Sequence, residues 1–343
     1  MKISQILGIT IVAGILFELP SCGRTNSSAS DMLFEQTDSI AWTVLGGDDI
    51  IPFANDMLVT DSSIYVLGLA NGKWLHIYNQ EGKLSTSKLS QGKSSEEAVN
   101  AIGMNIESDT LLSVYDHDIS AVKILNTDTW EIDNSINLHN SLPVVWQAST
   151  IGKDLVLVNH PSIKGEEDMV RGFSIVDAKS DKVISTYDSI PEVFKDNPMM
   201  LMAQENLAVA PDGVHFVSVT GLGGTIETFE VKDGNIHPLY SSVVFPLDFV
   251  DVNGMKQIVP DPILGFFSVC AADDYWLASY AGTKNDKDLT KIGIWDWKGN
   301  PIRGIKTDKL IMKLAISPDG RQLYGLLMED DGSFSFGTIN LDK

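Results

Sequence analysis

Disulfide bonds have almost no raw material in this 343-residue chain, which contains two cysteines, Cys22 and Cys270. A cross-linked framework is excluded, so the fold must rest on its apolar core. Positive charge is also scarce. Lys and Arg number 25 against 46 Asp and Glu, a formal net charge of −21. Such a chain repels phosphate backbones and anionic lipid headgroups, so nucleic acid is not an expected partner and a basic patch cannot hold it to a membrane. The acids are spread along the chain without a run of five or six, as on a solvated surface. No apolar run reaches the ~20 residues that a bilayer-spanning helix needs. Catalytic signatures are missing too. The six histidines, His76, His117, His139, His160, His215 and His237, show neither HExxH nor H-x-H spacing. Gly221-Leu222-Gly223-Gly224 follows one strand pattern and opens another, which is not the strand-to-helix setting of a phosphate-binding loop. Asn159-His160-Pro161-Ser162 offers no nucleophile elbow. No cofactor is predicted.

What is present begins with an address. Lys2 charges the N-terminus, Ile6 to Phe17 form an apolar stretch of twelve residues, and Leu19-Pro20-Ser21-Cys22 follows. This resembles the bacterial lipobox, with Leu three positions before an invariant cysteine and a small residue just before it; Glu18 and Pro20 depart from the commonest form. The resemblance implies that residues 1–21 are a lipoprotein signal peptide and that Cys22 carries the lipid. The alternative is an ordinary secretory signal with a coincidental cysteine. Several acyl chains on one residue make a stable anchor where one would be marginal. Residues 22–38 then read as a lipidated tether and 39–343 as the folded domain. Gly23 to Ser30 contain no acidic residue. By the same resemblance, that places the protein at the outer membrane of a Gram-negative bacterium, with its domain facing the periplasm. Cys270, in the apolar run Phe266 to Ala271, is expected to be a buried, inert thiol.

The rest of the chain repeats one unit: an apolar-alternating strand, a tight polar turn and another strand. Aligned on Ile77, Ile124, Ile175, Phe229, Ile294 and Thr338, six units recur at intervals of 47, 51, 54, 65 and 44 residues. Four strands with turns need about 40 residues, so the surplus lies in loops. Two units carry Pro-Asp-Gly, at 211–213 and 318–320, where Pro presets the backbone, Asp caps the turn and Gly takes the positive φ. The sixth unit ends after its third strand, and a spare strand, Ile40 to Leu45, precedes the first. The expected fold is therefore all-β: a six-bladed β-propeller of four-stranded antiparallel blades, its ring closed by the N-terminal strand. The Ser-Pro-Asp-Gly turn and the six units resemble the TolB-like six-bladed propellers over residues 40–343, a likeness of architecture and not of activity.

In a four-stranded meander, connections alternate between two ends. The short turns all fall at one end. The long segments, Asn159–Arg171, Ser189–Glu205, Ser241–Leu264 and Ala281–Thr290, fall at the other, which is expected to be the binding face. Its candidate residues are Asp116, His117, Asp118, His160, Lys164, Arg171, Met199, Asp248, Phe249 and Lys284. Met199 and Phe249 belong to apolar stretches that either pack against the ring or offer a surface to a partner. His76 and His215, inside strand patterns, are expected to be structural. Two functions remain open. One is a monomeric binding or scaffold protein whose long-loop face engages an envelope protein, peptide or glycan. The other is a metal-dependent hydrolase or lyase of the lactonase type, with Ca²⁺ in the central channel, although no ligand set stands out.

Overall fold

The computed structural model describes residues 33–46, 50–152, 154–164, 168–189, 205–253 and 255–342. Apolar alternation becomes strand nearly throughout. Two short strands come first, β1 (Thr37–Ser39) and β2 (Thr43–Val44). Blade 1 is β3 (Asp56–Val59), β4 (Ser63–Ala70), β5 (Lys73–Asn79), β6 (Leu84–Gln91) and the short β7 (Glu97–Ala98). Blade 2 is β8 (Ala101–Ser108), β9 (Leu111–Asp116), β10 (Ala121–Asn126) and β11 (Ile132–Asn137). Blade 3 is β12 (Gln147–Thr150), β13 (Leu155–Lys164), β14 (Asp168–Asp177) and β15 (Lys182–Ser189). Blade 4 is β16 (Glu205–Val209), β17 (His215–Thr220), β18 (Gly224–Lys232) and β19 (Asn235–Phe245). A hairpin, β20 (Phe249–Val252) with β21 (Met255–Ile258), leads to blade 5: β22 (Leu264–Ala271), β23 (Tyr275–Thr283), β24 (Lys291–Asp296) and β25 (Pro301–Lys306). Blade 6 is β26 (Leu310–Ile316), β27 (Gln322–Met328) and β28 (Phe334–Asn340).

The main strands of each blade form an antiparallel meander, with β7 added parallel to β6 in blade 1, and the six first strands, β3, β8, β12, β16, β22 and β26, neighbour one another around a central channel. The ring closes as expected. β2 pairs antiparallel with β28, Thr43 opposite Thr338 and Val44 opposite Gly337, and supplies blade 6 with its fourth strand. The domain also begins earlier than residue 39. β1 runs parallel to β25 as a fifth strand of blade 5, Thr37 opposite Gly304. Phe34 is buried against Trp295, ring centroids 5.1 Å apart. Gly304 makes room for it, because a Cβ there would lie 2.9 Å from the Phe34 ring. The end of the expected tether is thus part of the packed domain, held by an aromatic side chain that has no reason to stay in water.

The core is six separate aromatic and aliphatic layers, one between each pair of neighbouring blades. Period-two geometry explains how one strand serves two layers. On β4, Ile64 and Val66 point into the layer shared with blade 6, while Tyr65 and Leu67 point into the layer shared with blade 2. The middle strands are covered on both faces, which is why they read as near-continuous apolar runs. The two Pro-Asp-Gly turns form as expected. Gly213 and Gly320 adopt φ of 66° and 71°, and the Asp212 carboxylate accepts from the backbone N–H of Val214 at 2.7 Å and of His215 at 3.0 Å.

Polar side chains on the innermost strands tie blade to blade. Asp56 accepts from Met104 N, Asn105 Nδ2 donates to Thr150 O, Asn206 Nδ2 donates to Phe266 O, and Ser268 Oγ accepts from Leu314 N, at 2.9 to 3.2 Å. Between blades 3 and 4 the tie lies further out. Arg171 on β14 donates to the Glu227 carboxylate on β18, both buried.

Candidate functional site

Antiparallel pairing puts the β-turns within the hairpins β3–β4 and β5–β6, and their counterparts, at one end of the ring. The blade-to-blade connections and the second-to-third-strand loops lie at the other. The long connections, 92–100, 138–146 and 246–263, share that second end. The segmentation expected from sequence differs in detail. Asn159–Arg171 is not a loop: β13 and β14 remain paired from Leu155↔Asp177 out to Lys164↔Asp168, so blade 3 projects a two-stranded finger. Ala281–Thr283 still belongs to β23, and Ser241–Phe245 to β19. Within 246–263, Leu247 packs inward while Val250 and Val252 on β20 are exposed.

The expected face residues that are described share this end of the ring but do not converge. Asp116 is fully buried and accepts from Val99 N at 2.8 Å and Asn100 N at 2.9 Å, capping the connection from blade 1. His160 is buried between Ser174 Oγ at 2.7 Å and Pro161 O at 2.9 Å, and burial pushes its imidazole below the usual range. Arg171 is inside the wall with Glu227, its guanidinium 4.6 Å from the Phe173 ring centroid. These three are walled in by internal partners. His117 and Asp118 are exposed and contact each other at 3.3 Å. Asn100 first and His117 second hold the Asp118 carboxyl below its ordinary value. Asp248 is exposed, Phe249 half-buried, and Lys284 reaches Asp261 at 3.6 Å. Cys22 and Met199 lie outside the described residues, as does the Lys164 side chain. His76 is structural, hydrogen-bonded to Ser87 Oγ at 2.9 Å and Gly68 O at 3.1 Å. Cys270 is half-buried, lining the channel, and burial first and Asp56 second raise its thiol above the usual range.

The long-connection end carries another signal. Phe53, Leu69, Ile119, Val144, Val250 and Val252 are all exposed there, Phe53 by 82%. Phe53 and Leu69 flank one crossing point, where a Cβ on Gly68 would lie 2.4 Å from Phe53 O.

The channel is the second feature. The first strands enclose a polar cavity of about 90 Å³ lined by Asn55, Asp56, Gln147, Ser149, Asn206, Ser268 and Lys313, together with Tyr115 and several apolar groups. It continues through Asp56, Met104, Ser149, Leu207 and Val269 into a funnel of about 770 Å³ that opens among the short turns. The funnel is lined by five carboxylates, Asp56, Asp61, Glu107, Asp109 and Asp128, and by no Lys or Arg. Burial raises the Asp56 carboxyl and lowers the Lys313 ammonium from their ordinary values, and their mutual attraction offsets this only in part. Among the described residues no group of three or more His, Cys, Asp or Glu side chains is arranged to hold a metal ion. Sequence reasoning did not single out Asp56, Glu107 or Lys313. The signal was a charge inside the first strand of a repeat, as in Leu310-Ile311-Met312-Lys313-Leu314.

No protein-family model matches the chain, and no curated protein matches it in sequence. Solved structures do. The WD40 repeats of RRP9 superpose with a TM-score of 0.52 at 15% identity, covering 89% of this chain and 99% of that one. U3-55K gives 0.51 at 15% identity, covering 89% and 100%. XC5397, a gluconolactonase from Xanthomonas campestris, gives 0.50 at 13% identity, covering 81% and 82%. At these identities the likeness is one of fold, and the fold is a six-bladed β-propeller.

Proposed function

We propose that this chain is a binding scaffold, attached to the outer membrane through lipid on Cys22 with its domain facing the periplasm, whose long-connection face engages an envelope protein. The observation that carries the reading is the exposure of Phe53 by 82%, beside exposed Leu69 on blade 1, with Ile119, Val144, Val250 and Val252 on the same face. Large apolar side chains gathered on the variable end of a rigid scaffold mark an interaction surface. An aromatic anchor of this kind supplies most of the affinity of many interfaces. The lipobox resemblance supports both the anchor and the envelope setting.

Site-specific photo-crosslinking in intact cells tests it, with the reactive group at Phe53 or Val250 and at Lys179 in a turn of the opposite face. A discrete protein adduct from Phe53 or Val250, absent from Lys179, is expected. Phe53→Asp should weaken capture by the adduct partner about tenfold or more. Equal labelling from both faces would overturn the assignment of the face.

A further inference from the structure

His160 stands at the root of the blade 3 finger, and its hydrogen bonds define its charge. Nδ1 lies 2.9 Å from Pro161 O, which can only accept, so Nδ1 carries a proton. Nε2 lies 2.7 Å from Ser174 Oγ, and Ser174 Oγ lies 2.7 Å from Thr186 Oγ1. In the neutral ring Nε2 accepts from Ser174, and Ser174 in turn accepts from Thr186. The chain from Thr186 through Ser174 and His160 to Pro161 is therefore complete with an uncharged ring. A second proton would reverse both hydroxyls and leave an imidazolium in a side chain only 4% exposed, which is costly. Gly172 faces His160 directly, and a Cβ there would lie 2.9 Å from the ring. Asp188 faces Gly172 from β15 and is the one charge among the described residues that acts on His160; burial outweighs it. Arg171 and Glu227 pair on the other face of β14. On the 138–146 connection His139 is exposed, and the Tyr115 hydroxyl donates to Val145 O.

Water reaches the ring most cheaply through the finger. β12 covers β13 only as far as Asn159, and β15 covers β14 only from Arg171 inward. Beyond these points the two finger strands pair only with each other among the described residues, and Pro161 brings no N–H to the pairing. A segment with so few partners opens before the blade that carries it. We infer that His160 is a proton-sensitive latch: when the ring takes up a second proton, the finger of blade 3 parts at its root and the long-connection face changes shape. The opening needs no partner, and only its effect on binding rests on the reading of that face as the binding surface. An open root takes up the proton in the ordinary imidazole range, the closed root only below it. The closed state is therefore fully held above that range and weakens as pH falls through it, by up to about tenfold per pH unit.

Hydrogen exchange of the full chain, read by mass spectrometry at about pH 7.5 and about pH 5, tests this once rates are corrected for the pH dependence of exchange itself. Protection of residues 160–163 and 169–172 should fall about tenfold at the lower pH while that of β23 holds. In His160→Gln, which can still accept from Ser174 but cannot gain charge, the fall should vanish. In Asp188→Asn, which keeps His160 but removes the charge that favours its second proton, the fall should deepen by roughly threefold. The inference is overturned if the finger root keeps its protection at the lower pH, if β23 loses as much, or if His160→Gln behaves as the unmodified chain. Should His160→Gln fail to fold, Asp188→Asn decides alone: a fall no deeper than that of the unmodified chain overturns the inference.

Discussion

Glu107, on the funnel wall, shows how one side chain can set a pH response. Burial pushes its carboxyl up to about 7, against a weaker opposing hydrogen bond from Ser113, and one of its oxygens is buried without a partner. Between its ordinary value of 4.5 and about 7 the folded chain retains a proton that the unfolded chain has released. The stability contribution is therefore complete below pH 4.5 and is lost as pH rises through about 7. Glu107→Gln removes that loss. Between pH 5 and pH 8 the unmodified chain should lose about 1–2 kcal/mol more than the variant in urea titrations, a figure reduced for the partial exposure of the group. Parallel losses would show that the carboxyl is ordinary. At this scale the sequence was hard to read. Asp116, His160 and Arg171 looked like loop residues because they flank polar stretches, yet each is buried by pairing that local pattern does not encode. Asp56 and Lys313 line one cavity only because strands more than 250 residues apart become neighbours.

Strands were far more legible than their lengths. Alternation located the middle strands of every blade, because a two-sided apolar strand leaves a dense run of Ile, Val and Leu. The finger of blade 3, expected to be a loop, is paired strand with Pro161 inside it. Proline disfavours a strand interior, but β12 is paired only as far as Asn159, so the edge of β13 beyond it needs no donor from residue 161. The same blade shows what replaces an inner-strand tie. Arg171→Ala would remove the cation beside the buried Glu227 carboxylate and should cost about 3–5 kcal/mol. The double change Arg171→Met with Glu227→Leu should recover most of that loss. A double-mutant cycle in urea decides it: equal destabilisation by the single and double variants would mean that the packing around Phe173, and not the charge pair, holds blades 3 and 4 together.

For the molecule as a whole, closure of the ring matters most. It was readable from bookkeeping alone, a missing last strand and a spare first one. The fifth strand of blade 5 and the burial of Phe34 were not, because a three-residue strand with exposed side chains has no periodic signature. Trp42 sits at the closure, buried between blades 5 and 6 and fitted against Gly325 and Gly337. Trp42→Ala should lower stability by about 3–5 kcal/mol. Hydrogen exchange should then show faster opening of blade 6 than of blades 2 and 3. Uniform acceleration across all six blades would mean that the ring opens nowhere in particular.

Closure also imposes a schedule. Thr43 leaves the ribosome among the first residues of the folded domain, yet its partner, Thr338, is among the last. No blade-by-blade folding can finish the ring during synthesis; the final step waits for both ends of the folded domain and joins them, a long-separation contact of the kind that slows folding. Until that moment the edge of β28 is an open strand. The molecule therefore has an interval, after synthesis and before closure, in which a second chain's β2 could take the place of its own.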